Sequence, residues 1–396
     1  ETAEVWTHSQ GIYPLRTDLA LMLGLPHESV VVRHVEGAGC YGHNGADDVA
    51  CEAVLMARAV PGQPVQVQWT REDELGCAPF GAAMAVDMTA QVTPGGRIEG
   101  WEHQVWSNGH SMRPGRSKVP VFLAAGFLEK PSEGQIAINV PLVAGGGAER
   151  NAVPMYDFAQ WRAVCHRALA MPIRTSSLRS LGAHCNVFAS ESFLDEIATG
   201  LGLDPLALRL QHLTDPRARA VLEAVADMSG WSRREEIVAG IEGRGMGLAF
   251  TRYKNNGAYC AVVASIDAGR EVRVNQLWIA VDVGRVVNLD GVVNQIEGGA
   301  IQTVSWTLKE AVAFDRTGIQ STTWDTYPIL RFSEVPAVTV QVLERPGEKS
   351  LGAGEATHGP VSAAIANALA HALGVRVRHM PFTADSITRA ALASDS

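Results

Sequence analysis

Two rhythms of hydrophobic residues run along this chain: a repeat every three to four residues, which marks one face of a helix, and alternation, which marks a half-buried strand. Residues 14–23 follow the helical repeat and stop at Gly24-Leu25-Pro26, and residues 30–34 read as a short buried strand. The helical repeat returns over 47–60 and closes at Pro61-Gly62. Residues 65–69, 83–92 and 98–106 predict strands, with a hairpin turn at Pro94-Gly95-Gly96. Residues 113–155, rich in Gly, Pro, Lys and Arg, read as an irregular excursion over a surface or a partner. Helices are predicted over 188–199, 205–213 and 218–227, the second opening with Asp204 as its cap and Pro205 in its first turn. The second half is strand-rich (247–251, 260–266, 272–281, 337–343), with a long helix over 290–311. A last helix over 360–373 gathers Val361, Ala364, Ile365, Leu369 and Leu373 near one face and ends at Gly374.

The fold class is therefore α+β. At 396 residues the chain exceeds what one core usually holds, so two elongated mixed α/β domains are expected, 1–235 and 236–396. The charged segment 231–242 marks the boundary. A net charge of −9 disfavours nucleic acid as a partner, and no apolar run reaches the length of a membrane span, so a soluble globular protein is expected. The chain opens at Glu1 without a methionine, so any upstream segment would not be visible here. Six cysteines lie far apart with no C-x-x-C, which excludes a locally spaced zinc or iron–sulfur site.

Four stretches carry candidate chemistry. Gly37-x-Gly39-x-x-Gly42 follows a strand and fits the expression for a dinucleotide-binding turn. However, His43-Asn44-Gly45 delays the helix, and the next carboxylates, Glu72 and Asp73, come too late. Thr7-His8-Ser9-Gln10-Gly11 places a glutamine after a strand, and Ser176-Ser177-Leu178-Arg179-Ser180-Leu181-Gly182 a planar guanidinium in a loop. Gly354-Glu355-Ala356 sets a glycine-flanked carboxylate ahead of a helix. Each has a plainer reading: a packing turn, a surface glutamine, an arginine paired with a surface acid, a carboxylate beside a helix dipole.

Together, and in this order, these motifs resemble the molybdenum-binding subunit of the xanthine oxidase family of molybdenum hydroxylases, in its isoquinoline 1-oxidoreductase-like and aldehyde dehydrogenase-like branch. The resemblance implies molybdopterin with molybdenum, in its cytosine dinucleotide form, held with no direct protein ligand to the metal. It implies that Gln10 and the Gly39, Cys40, Tyr41 and Gly42 loop face the cofactor, Tyr41 standing where Phe is common. Asp282-Val-Gly284, Asn288 and Gln295-x-Glu297-Gly298 resemble the stretch where a glutamine, here Gln295, reaches the pterin. Glu355 is implied as the catalytic base and Arg179 as the group that orients an oxygenated substrate. Ser180 stands where carbon monoxide dehydrogenases carry a copper-binding cysteine, which argues against that reaction. The implied reaction oxidises an aldehyde or N-heterocycle with oxygen from water. Electrons leave through a 2Fe-2S subunit, the iron–sulfur clusters lying only in that partner, with a cytochrome as a further acceptor. A methionine-glycine-glutamine-glycine segment that grips the pterin in relatives is absent, which implies that a second molybdenum-binding chain or an upstream portion completes the site. Two other classes stay open: a nicotinamide-dependent oxidoreductase, and a non-catalytic fragment or partner of a molybdenum enzyme.

Overall fold

The computed structural model describes residues 1–237 and 243–394. Strand β1 (Ala3–Thr7) and β2 (Val30–His34) pair in parallel, connected through helix α1 (Ile12–Leu23). Helix α2 (Asp48–Ala59) shares their core through Ala50, Cys51 and Val54. After helix α3 (Arg71–Cys77), β3 (Met84–Val92) and β4 (Ile98–Ser107) form the expected hairpin, and β5 (Gln160–Arg167) joins β4 in parallel. Helices α4 (Ala183–Gly200), α5 (Pro205–Gln211) and α6 (Pro216–Ser229) follow.

The second half is built on a four-stranded sheet. β6 (Arg244–Arg252), β7 (Tyr259–Ala268) and β8 (Val272–Asp282) are antiparallel neighbours. The long helix α7 (Leu289–Leu308) leads to a two-residue-per-strand ribbon of β9 (Phe314–Asp315) and β10 (Gly318–Ile319). β11 (Ala337–Val342) then adds in parallel to β8, and α8 (His358–Leu373) and α9 (Ala384–Ser394) end the described chain.

Period-two alternation explains the layers. Along β7, Cys260, Val262, Ala264 and Ile266 face a core shared with α8, whereas Tyr259, Ala261 and Val263 face one shared with α6. A strand covered on both faces is apolar at nearly every position, as β7 is. α8 lies tightly on β6 because Gly245 and Gly247 present no Cβ, and one built there would overlap the backbone of Ala368 and Ala364.

Several expectations differ from the structure. Residues 65–69 are not a strand: alternate positions are half-buried and Trp69 Nε1 donates to Glu52 on α2 (2.6 Å), but among the described residues no strand pairs with them. β5 carries too many polar residues to read as a strand, and α3 too few apolar ones to read as a helix. Residues 238–242 of the expected boundary lie outside the described residues. Helices α4 and α6 pack against the second-half sheet, so its two cores draw residues from both sides of position 235.

Candidate active site

Three loops from distant parts of the sequence converge beside the N-termini of α4 and α8. These two helices start side by side: a Cβ at Gly359 would overlap Val187, and His184 and Ser362 hydrogen-bond (2.8 Å). The loop ahead of α4 bends through two left-handed residues, Ser180 (φ 75°) and Leu181 (φ 51°), a conformation that β-carbon-bearing residues adopt only where the surroundings hold them. Thr175 and Ser177 hydroxyls anchor this loop on the carbonyls of Gly109 and His110.

Glu355 is half-buried in the turn before α8. Its Oε1 accepts from the Ser180 amide (2.7 Å) and its Oε2 from the Tyr253 hydroxyl (2.6 Å). Arg179 is buried (8% exposed) and spends four of its five N–H donors on the protein. Nε donates to Gly354 O (2.5 Å), Nη1 to Gln302 Oε1 (3.2 Å), and Nη2 to Gln295 O (3.3 Å) and Oε1 (3.0 Å). Burial lowers the Arg179 guanidinium, with Glu355 and Tyr41 acting in the opposite sense. Glu355, Arg179 and Gln295 are thus brought together by the structure, and Arg179 occupies the amide oxygen of Gln295.

The glycine loop completes the group. Gly39 (φ 131°), Tyr41 (φ 53°) and Gly42 (φ 79°) all lie in the left-handed half of backbone space, where glycine costs least. Gly42 abuts the arginine loop: a Cβ there would stand 3.3 Å from the Arg179 amide nitrogen. Arg113 donates to Gly42 O (2.6 Å), and the Tyr41 ring, 53% exposed, has the Arg179 guanidinium 5.9 Å from its centroid. Cys40 is a half-buried free thiol. The Gln10 loop approaches from the other side, where Gly37 lies against His8. Ser9 donates to Asp47 (2.9 Å) and accepts from the Gly11 amide (3.0 Å). Burial raises Asp47 to about 7 despite the Ser9 hydrogen bond. Gln10 itself is exposed.

Sequence reasoning missed Tyr253, Arg150, Gln302 and the Ser180 amide. Tyr253 is at the end of a buried strand, where an aromatic reads as core. The signal available was the turn Asn255-Asn256-Gly257 directly after it.

These residues offer surfaces suited to a polar organic group. Among the described residues no cluster of three His, Cys, Asp or Glu groups is placed to hold a metal ion. Backbone is exposed at Gly39, and the Ser180 and Thr357 hydroxyls near Glu355 are buried without partners. Those are the surfaces and spare donors that a polar, close-fitting group requires. Among the described residues β1 and β2 form only a two-stranded sheet, short of the multi-stranded parallel sheet that a doubly wound nicotinamide fold needs.

Models of the molybdopterin cofactor-binding domain match residues 1–128 and 241–336, the segments that carry the glutamine and glycine loops and Gln295. The chain belongs to the molybdenum-binding subunits of the xanthine oxidase family. It is 36% identical over 406 aligned residues to a nicotinate dehydrogenase subunit of Pseudomonas putida, an alignment covering 99% of this chain and 32% of that one. It is 32% identical to the beta chain of isoquinoline 1-oxidoreductase of Brevundimonas diminuta, covering 96% of this chain and 46% of that one. Among solved structures, quinoline 2-oxidoreductase from Pseudomonas putida 86 superposes with a TM-score of 0.77 at 15% identity, over 98% of this chain and 72% of that one. The α+β fold is that of molybdenum-hydroxylase large subunits. The chain spans less than half the length of both curated relatives. Among the described residues no helix is long and apolar enough to cross a membrane.

Proposed function

We propose that this chain is the part of a molybdenum hydroxylase that carries the catalytic base, and that the enzyme oxidises an N-heterocycle or an aldehyde with water as the oxygen source. The observation that carries this reading is the placement of Glu355. It is held at both carboxylate oxygens, beside the Arg179 loop and within one cluster with the glycine loop. The names of the two curated relatives favour the N-heterocycle.

When bound, molybdopterin supplies the two-electron redox chemistry and activates the oxygen derived from water. The chain's residues do the rest. Glu355 would accept the proton given up by the water-derived oxygen as it bonds to carbon, the substrate's carbon–hydrogen bond breaking and its electron pair passing to the cofactor; a positioned base contributes roughly 10²–10⁴ in rate. Each carboxylate oxygen offers about two acceptor sites, so one hydrogen bond to each leaves room for that proton. The backbone of Gly39, Cys40, Tyr41 and Gly42 and the Gln10 amide would hold the cofactor, acting as fixed dipoles. Gln295 steadies the pterin side through its amide nitrogen, its oxygen being taken by Arg179. Arg179 acts chiefly as a clamp on the Glu355 turn, since four of its five N–H donors are already spent on the protein.

In this reading the cofactor is the cytosine dinucleotide form. Electrons pass to a 2Fe-2S subunit and onward to a cytochrome, and the remaining length found in relatives closes the site as a second molybdenum-binding chain or upstream portion. The division near residue 235 would then separate two cofactor-binding segments. The test is to purify the chain with its redox partners and the rest of its subunit. Molybdenum and pterin should be equimolar with it, acid hydrolysis should release cytidine monophosphate, and product formed in ¹⁸O-water should carry the label. Labelled product without molybdenum, or reduction of a nicotinamide nucleotide in place of the 2Fe-2S subunit, contradicts the reading.

A further inference from the structure

Behind Glu355 lies a buried guanidinium, and it sets the direction of a hydrogen bond. Arg150 is 5% exposed. Its Nη1 donates to the Tyr253 hydroxyl (2.6 Å), its Nε to Gly145 O (2.9 Å) and its Nη2 to Gly146 O (2.7 Å). Tyr253 is its one side-chain hydrogen-bond partner among the described residues. A guanidinium can only donate, so the phenolic oxygen must accept from Arg150. The single hydroxyl hydrogen is then left for Glu355 Oε2, 2.6 Å away.

The backbone around this relay is braced from the same direction. Tyr253 begins a turn in which Lys254 (φ 55°) and Asn255 (φ 59°) are left-handed. Asn151, the neighbour of Arg150, accepts from the Lys254 amide (2.9 Å) and donates to Arg252 O (3.0 Å), while Asn255 donates to Val153 O (3.0 Å). The end of the irregular excursion thus holds both the backbone around Tyr253 and its hydroxyl. Burial and the Glu355 charge push the Tyr253 phenol well up, so it stays a donor.

We propose that Tyr253, held by Arg150, is a positioning residue for Glu355. A carboxylate's terminal torsion is broad when one oxygen alone is held. The Ser180 amide fixes one oxygen and Tyr253 the other, and together they set the plane in which Glu355 meets the substrate. This assignment rests on Glu355 being the base.

The test uses the assembled enzyme with its cofactors and redox partners. Tyr253→Phe is expected to lower kcat about tenfold, the worth of one hydrogen bond to a charged group, with KM within about twofold and molybdenum content unchanged. In a Glu355→Gln background the same change is expected to add nothing. Infrared difference spectra without substrate supply a second readout: the carboxylate band that disappears in Glu355→Gln should shift in Tyr253→Phe. If Tyr253→Phe yields no folded enzyme, Arg150→Met carries the test, with the same band shift and a smaller loss of kcat. An unmoved band with unchanged kcat overturns the assignment. A Glu355→Gln enzyme that keeps its activity overturns instead the base reading on which it rests.

Discussion

At the scale of single residues, the arrangement around Arg179 bears on two roles that a sequence cannot separate. A guanidinium that orients substrate keeps its fork of donors free; here four of the five N–H groups end on Gly354, Gln302 and Gln295, and only one on Nη1 remains. Arg179→Ala strands those acceptors, at about 1–3 kcal/mol for each one left buried and unpaired. It is expected to lower the melting temperature and to cut kcat/KM by the same factor for an N-heterocycle and for a simple aliphatic aldehyde. A loss confined to the N-heterocycle would restore the substrate-orienting role. The meeting of Glu355 with the arginine loop was legible because its glycine-flanked position and the distant loops belong to one pattern. Arg179 was legible as a residue of the site but not in its direction, because a sequence does not say where five donors point. Tyr253 was hidden because its hydroxyl matters only once Arg150, 103 positions away in sequence, is folded against it.

At the scale of elements, the position of Glu355 follows from how α8 seats on β6. The helix packs backbone to backbone over Gly245 and Gly247 with an alanine-rich face, so there is no space for a larger residue. Gly247→Val is expected to destabilise the protein by roughly 1–3 kcal/mol or more through overpacking. Through α8 it should also loosen the Glu355 turn, so that kcat falls further than the folded fraction does. A denaturation midpoint unchanged from wild type would contradict the packing argument. Most of these elements could be read from periodicity, because β7 and α8 are long and consistently apolar. The segment at 65–69 could not, since alternation records which side is buried and not whether a neighbouring strand supplies hydrogen bonds. The close meeting of the α4 and α8 N-termini, where the site forms, is a tertiary fact that no local pattern contains.

At the scale of the whole molecule, buried histidines set the response to acid. Burial is the first cause that holds His103, His110, His184 and His371 down at about 4, and it takes His358 well below its usual range. Each is neutral when folded but takes a proton when unfolded below about 6.5, so the unfolded state binds more protons there. Stability present above pH 6.5 is therefore lost as pH falls toward 4. Asp47, raised to about 7, acts in the opposite sense: it holds its proton when folded, and its contribution is lost as pH rises from about 4 to 7. Asp18 and Glu310, also raised by burial, act as Asp47 does, and these three carboxyls are outweighed by the five histidines. The melting temperature should fall steeply between pH 6.5 and 4.5, and His184→Gln should flatten that slope. A melting temperature that is level across this range would contradict the assignment of these imidazoles as buried and neutral.

The central claim, that Glu355 is the base of a molybdopterin hydroxylase, is tested most directly by one single-turnover measurement. The rate at which substrate reduces the assembled enzyme is compared between wild type and Glu355→Gln at equal molybdenum content and equal melting temperature. The glutamine keeps the volume and can still accept from Ser180, but it cannot take up the proton. The reduction rate should be lower by about 10²–10⁴ if Glu355 is the base; a variant that keeps more than half the wild-type rate would show that it is not.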